Sequence, residues 1–350
     1  MSVERSSIAG SFMLSEMFEQ PNRVKETLSN SLQNIEHFDR LLSQATFVAL
    51  LGRGSSRSAA TYGVHLLRNI SGKIAFQLSP AEIAWKASKL NFAGGLVIAI
   101  SQSGESAELV AAAKKITSLG AKLLVITNSP NSTLANQVGD EKDLLYCLAG
   151  VERAVPATKS YTSTLALLFA LAFASHTHKI EDAIQHLPRA MANILESETF
   201  AVNLTGMDGF VLAGESYAES VAEEGAIKIR ETLSTLVSSF ETSEFLHGSV
   251  NSIRPKNGVI IISGDVFGKG LASQAIVEAG KRGATTISIG TSYIEAADQN
   301  VIIPSFDVEW LPFLSILPVQ RAAHNAAIQL GLDPDIPVGL TKVTRVSEPI

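Results

Sequence analysis

One cysteine stands among 350 residues, so no intrachain disulfide can form. Cys147 sits in an apolar, strand-like run, Leu144 to Leu148, and reads as an inert buried thiol. Long apolar runs are also missing: none reaches the roughly 18–20 residues needed to span a bilayer. The greasiest stretch, Leu165 to Ala174, is closed by His176 and His178 and reads as a buried helix. The amino terminus lacks the basic-then-apolar pattern of a secretory signal. Positive charge is in deficit, with a formal net charge of −6. No basic stripe offers counterion release to a polyanion, which argues against nucleic acid as a partner. Low-complexity tracts are absent. These absences point to the cytoplasm, away from membranes and nucleic acids. What is present, 46% hydrophobic and 18% charged residues over a length that suits two domains, is the composition of a well-packed globule.

Two segments share one plan but differ in their loops. A strand ends in Ser101-Gln102-Ser103-Gly104-Glu105-Ser106, and another in Ser263-Gly264-Asp265; each lies 49 residues after a strand-to-loop glycine, Gly52 and Gly214. Only the first copy carries a hydroxyl-rich loop, which points to one anion site per chain. Around these landmarks, apolar strands alternate with helices, the pattern of a parallel sheet covered on both faces. The reading gives strands at 46–51, 73–78, 96–100, 122–127 and 143–148, then 210–212, 235–240, 259–263 and 285–289. Helices fall at 13–44, interrupted near Pro21, and at 56–70, 80–87, 107–119, 159–175, 180–200, 216–233, 268–282 and 314–330. The fold class is α/β: two tandem three-layer α/β/α domains with parallel sheets, plus amino-terminal helices and a carboxy-terminal tail. The boundaries are 1–44 for the helical segment, 45–178 for the first domain, 179–204 for a linking helix, 205–335 for the second domain and 336–350 for the tail. Ligands belong at the carboxyl ends of the strands.

Gly52-Arg53-Gly54-Ser55-Ser56 leaves a strand and enters a helix. Such a junction offers unpaired N–H groups and a positive helix end to an anion. Gly54 lets the backbone approach closely, and Ser55 and Ser56 add hydroxyl donors. The second loop adds Ser101, Ser103 and Ser106. A dinucleotide fingerprint fails because Arg57 stands where its last glycine is needed and no acidic residue ends the next strand. A Walker loop fails for want of Gly-Lys-Ser/Thr. Turn-forming and helix-capping serines would explain either loop alone, but five hydroxyls exceed what capping requires.

Gly54-Ser55-Ser56 together with Ser101-Gln102-Ser103-Gly104-Glu105-Ser106 resembles the phosphosugar-binding SIS (sugar isomerase) domain family. The resemblance runs over nearly the whole chain to the isomerase half of the glucosamine-6-phosphate synthases. It includes Met13-Leu14-Ser15-Glu16-Met17, Glu19-Gln20-Pro21, Gly150-Val151-Glu152 and Thr158-Lys159. It implies that Ser56, Ser101, Gln102, Ser103 and Ser106 bind a sugar phosphate, beside Gly54 and Ser55.

Glu224, Lys228 and Glu231 recur at four and three residues and share one helical face. Spacing alone also fits a solvated salt-bridge ladder, although Val221, Ala222, Ala226, Ile227 and Ile229 leave little polar surface for one. Aldose–ketose chemistry needs one carboxylate to move a proton between C2 and C1 and a nearby cation to stabilise developing charge. It needs neither metal nor organic cofactor. Glu224-Gly225-Ala226-Ile227-Lys228-Ile229-Arg230-Glu231 and Glu244-Phe245-Leu246-His247-Gly248 resemble the catalytic segment of the synthase isomerase domain. The resemblance makes Glu231 the base, Lys228 its assistant and His247 the ring-opening residue. It also places His247 in the neighbouring subunit's site, implying a homodimer with shared active sites. Lys342, within Gly339-Leu340-Thr341-Lys342 and after Asp335-Ile336-Pro337, resembles the family's carboxy-terminal lysine, which forms an imine with the open-chain sugar; tail lysines are otherwise mostly solvated.

The synthases carry a glutaminase domain with an amino-terminal cysteine. Here Met1 is followed by Ser2, and no such domain fits before Met13. The expectation is therefore the reverse overall change, a glucosamine-6-phosphate deaminase of the SIS type giving fructose 6-phosphate and ammonia. A fructosamine-6-phosphate deglycase, a plain phosphosugar isomerase and a non-catalytic sugar-phosphate sensor remain as alternatives.

Overall fold

A computed structural model of the chain describes residues 8–86, 89–264 and 266–342. Ala87, Asp265 and the segments 1–7 and 343–350, which figure in the sequence reading, lie outside the described residues. The chain divides into two compact units. The first holds Gln20–Glu152, Lys159–Pro188 and residues 341 and 342; the second holds residues 8–19, Arg153–Thr158 and Arg189–Leu340.

Helices α1 (Ser11–Ser31) and α2 (Ile35–Gln44) lead into β1 (Phe47–Leu51), α3 (Ser55–Asn69), β2 (Ala75–Gln77), α4 (Pro80–Trp85), β3 (Gly95–Ser101), α5 (Ala107–Ser118), β4 (Lys122–Thr127) and β5 (Leu144–Tyr146). Then come α6 (Lys159–Ala172) and α7 (Thr177–Glu196). The first sheet is parallel, in the order β2-β1-β3-β4-β5. Every residue of β3 is buried, because the central strand is covered on both faces. Ala49, Leu51, Val97 and Ala99 join Ile83 of α4 and Leu109 and Ala112 of α5 in one cluster. The alternate residues of the strands face α3 and α6, since successive side chains point to opposite sides. All of α6 is buried, as its composition predicts. The Cys147 thiol is buried too, 3.4 Å from Thr164 Oγ1, and desolvation pushes its pKa up to about 12. It is inert.

The second unit repeats this plan with β6 (Gly209–Gly214), α8 (Tyr217–Leu233), β7 (Val237–Glu241), α9 (Thr242–Leu246), β8 (Asn257–Ser263), α10 (Val266–Gly280), β9 (Thr285–Gly290), β10 (Gln299–Ile302) and α11 (Leu311–Gln329). Its sheet is parallel in the order β7-β6-β8-β9-β10, the same path as the first. Gly63 and Gly225, 162 residues apart, repeat one contact. A Cβ at Gly63 would lie 2.8 Å from Leu50, and one at Gly225 2.6 Å from Leu212. Each glycine lets the helix after the first strand settle close to its sheet. Thus the duplicated α/β architecture expected from sequence is the one observed.

Three local readings change. Helix α1 runs unbroken through Pro21 and gives way only at the 3-10 turn Leu32–Asn34. A helical proline loses one hydrogen bond and crowds the preceding turn, at a cost of about 3 kcal/mol. The stripe Met13, Met17, Gln20, Val24 and Leu28, all fully buried, offsets that loss. The short helix α9 and the four-residue edge strand β10 carry too little pattern to be legible in sequence. No helix among the described residues is long and apolar enough to cross a membrane.

Candidate active site

The strand order of the first sheet reverses between β1 and β3, and such switch points bind ligands at the carboxyl ends of the strands. Leu51 pairs with Ala99, so the loops after β1 and β3 leave the sheet side by side. Gly54 caps α3 with φ +54° and ψ −132°, a conformation that L side chains rarely adopt. It has no side chain to offer the helix end. Ser106, at the equivalent position before α5, makes no capping hydrogen bond either. The capping interpretation of Ser106 therefore fails. Ser55 and Ser56 form the first turn of α3.

Ser101 and Ser103 have a second task. Ser101 Oγ accepts the Gly104 N–H at 3.0 Å, and Ser103 Oγ accepts that of Glu105 at 3.3 Å. Both hydroxyls keep their proton to donate. The turn demands glycine at 104: φ is +66°, and a Cβ would fall 1.9 Å from Ser132 Oγ. Glu105 turns away from the loop, accepting from Thr133 N (2.9 Å) and Thr133 Oγ1 (2.7 Å). The Gln102 carbonyl accepts the Asn128 N–H at 3.1 Å, which ties the loop to the end of β4.

The second unit copies the backbone but not the chemistry. Ser216, 162 residues after Gly54, has φ +56° and ψ −126°. Glu215 stands where the first unit has Arg53, and its carboxylate accepts from Ser243 N (3.3 Å) and Ser243 Oγ (3.4 Å). Arg53 instead extends a guanidinium to Glu108 Oε2 at 2.8 and 2.9 Å. A carboxylate at this junction repels a phosphate, so at this first junction the backbone is shared and the asymmetry lies in the side chains.

On α8 the ladder interpretation is overturned. Glu224 and Lys228 have fully buried side chains, while that of Glu231 is 26% exposed. Lys228 Nζ lies 2.7 Å from Glu231 Oε2 and 3.5 Å from Glu224 Oε1. One dry ammonium thus stands between two carboxylates, of which only Glu231 reaches solvent. His247 is exposed at the end of α9. Its Nδ1 lies 2.9 Å from the Ser243 carbonyl. A carbonyl only accepts, so Nδ1 is the donor in this hydrogen bond. Lys342 falls in the first unit, with the serine loops, and its Nζ lies 2.7 Å from Glu152 Oε2. It is not a solvated tail lysine.

The sequence model of the SIS domain matches residues 41–174 and 209–329, one match for each sheet. The chain belongs to the SIS domain family. Among SIS relatives, glutamine–fructose-6-phosphate aminotransferase [isomerizing] of Pyrococcus horikoshii is 32% identical over 350 residues, covering 96% of this chain and 58% of that protein. The chain therefore spans somewhat more than half the length of the curated relatives it matches. The C-terminal domain of glucosamine-fructose-6-phosphate aminotransferase from Francisella tularensis superposes with a TM-score of 0.82 at 19% identity, over 95% of this chain and all of that one. Glucosamine-6-phosphate deaminase of Thermotoga maritima superposes with a TM-score of 0.78 at 24% identity, over 95% and 99%. At those identities the superpositions establish the shared SIS fold.

Two polar residues of this SIS chain escaped the sequence reading as site candidates. Asn128 follows the last residue of β4, a position at the ligand edge of the sheet that could have marked it. Glu152 gave no periodic signal, because its partners Ser160 and Lys342 lie eight and 190 residues away.

Proposed function

We propose that this chain is a phosphosugar aldose–ketose isomerase acting as an amino-sugar-phosphate deaminase: glucosamine 6-phosphate and water give fructose 6-phosphate and ammonia. The observation that carries this reading is the α8 cluster, a fully buried Lys228 joined to a buried Glu224 and to the partly exposed Glu231. An exposed carboxylate oriented by a buried ammonium is what a C1–C2 proton transfer requires. In this reading Glu231 takes the proton from C2 of the open-chain amino sugar and returns it to C1. The product is a ketose imine, which water hydrolyses at C2. Gly54, Ser55, Ser56, Ser101, Gln102, Ser103 and Ser106 hold the phosphate. The imidazole of His247 opens the ring, serving the neighbouring subunit of a homodimer, and the Lys342 amine adds to C2 of the ketose imine, expels ammonia and is itself released when water hydrolyses the resulting lysine imine.

The amino-sugar substrate is supported by the name of the Pyrococcus relative, which specifies isomerisation, fructose 6-phosphate and amino transfer. Within these 350 residues the one thiol, Cys147, is buried with its pKa pushed up to about 12. It is no nucleophile for releasing ammonia from an amide. The test is to supply glucosamine 6-phosphate and measure ammonia and fructose 6-phosphate together. One-to-one release supports the deaminase. An isomerised product without ammonia, turnover of fructosamine 6-phosphate instead, or binding without turnover would each replace it with the corresponding alternative.

A further inference from the structure

The segment between β5 and α6 is built with care that the reaction above leaves unexplained. Leu148 and Gly150 both have left-handed backbone, φ +51° and +69°. Asn128 pins the turn from two sides, accepting the Ala149 N–H at 3.0 Å and donating Nδ2 to the Gly150 carbonyl at 2.8 Å. Through its own N–H the same residue holds Gln102 of the serine loop. Val151 is left 77% exposed, while the Glu152 side chain turns inward and is fully buried.

A buried carboxylate is costly unless it is paired and hydrogen-bonded. Glu152 meets part of that cost at the start of α6, where Oε1 accepts the Ser160 N–H at 3.1 Å, Oε2 accepts Ser160 Oγ at 2.7 Å, and the helix end is positive. Lys342, 190 residues later, then places Nζ 2.7 Å from Oε2 while staying 20% exposed. The amine is thereby oriented yet still accessible.

We propose that Glu152 is the positioning residue for Lys342: its buried carboxylate seats the tail amine at the carboxyl edge of the first sheet, in register with the serine loop through Asn128. This rests on the reading of Lys342 as an imine-forming amine. Glu152 acts through Lys342 and does not itself meet the substrate. The charge matters, because a carboxylate adds Coulomb attraction to the hydrogen bond that a neutral amide lacks.

Two measurements on the full chain test the seat. In the first, lysines are pulse-labelled with acetic anhydride and quantified by mass spectrometry, with the 63% exposed Lys281 as reference. Lys342 should react several-fold more slowly than Lys281 in the unaltered protein, and Glu152→Gln should bring the two rates together. In the second, Glu152→Gln should lower kcat on glucosamine 6-phosphate about ten- to a hundredfold with KM little changed, and Glu152→Asp should recover part of the loss. Equal labelling of Lys342 and Lys281 in the unaltered protein would overturn the proposal. So would a Glu152→Gln protein whose labelling and kcat are both unchanged. If Glu152→Gln does not fold, Ser160→Ala, which removes one bond to the carboxylate, is measured instead with the same expectations at smaller amplitude. If glucosamine 6-phosphate is not turned over, the reaction assigned above fails, while the labelling still decides the seat.

Discussion

At the scale of single residues, what distinguishes Glu231 from its neighbours is exposure. Glu224 and Lys228 are sealed in the protein, and Glu231 alone presents a carboxylate at the surface. Glu231→Gln preserves shape and removes the base, so turnover should fall about 10²–10⁴-fold. Affinity for a sugar phosphate should stay nearly constant. Unchanged turnover in a steady-state assay would return Glu231 to an ordinary surface ion pair. Sequence displayed the spacing of these three residues but not which of them is dry. Burial depends on α11 and β6 packing on α8, and α11 is distant along the chain. Glu152 illustrates the opposite case, since no local pattern announces a carboxylate whose partner is 190 residues away.

At the scale of elements, α8 carries a buried charge network, and removing Lys228 takes the ammonium away from both carboxylates. Lys228→Ala should destabilise the fold by about 3–5 kcal/mol, the usual cost of breaking a buried pair from one side. A denaturant titration measures this, and a loss below about 1 kcal/mol would mean that water reaches the site. A second element-level device joins the chain ends of the second unit. Asp335 accepts the Phe12 N–H at 3.0 Å and the Met13 N–H at 2.7 Å, capping the start of α1. Burial, the largest influence, holds its carboxyl above the ordinary carboxylate range despite these two bonds. A raised carboxyl pKa means that folding favours the protonated form. Its contribution to stability is complete below the unfolded pKa and is lost as pH rises through the folded value. Relative to Asp335→Asn, the unaltered protein should therefore gain stability as pH falls through the acid range. Thermal melts of both proteins across that range check the sign, and a difference that is flat or shrinks towards acid would contradict it. The capping reading of α1 was not available from sequence, where Pro21 dominated the pattern and the partner lay over 300 residues ahead.

At the scale of the whole molecule, the fold is one α/β plan used twice with different side chains. The proposed homodimer with shared sites gives an expectation of its own. His247→Ala and Glu231→Gln proteins, each inactive, should regain partial activity when mixed and allowed to exchange subunits. Two inactive mutants that stay inactive after exchange, confirmed by mass-tagged chains, would confine each site to one subunit.

The repeat, the parallel sheets and the hydroxyl-rich loops were legible in the chain because they are written locally, as apolar runs, glycines and short serine motifs. Residue types at fixed spacing likewise marked Glu224, Lys228 and Glu231, whereas His247 and Lys342 were singled out by the resemblance to the SIS family. Tertiary structure decided which of those charges are dry, that Ser101 and Ser103 shape their own turn, and that Lys342 rests on Glu152. Each of these depends on desolvation and on contacts between residues far apart in sequence, and neither quantity is encoded in any single stretch of it.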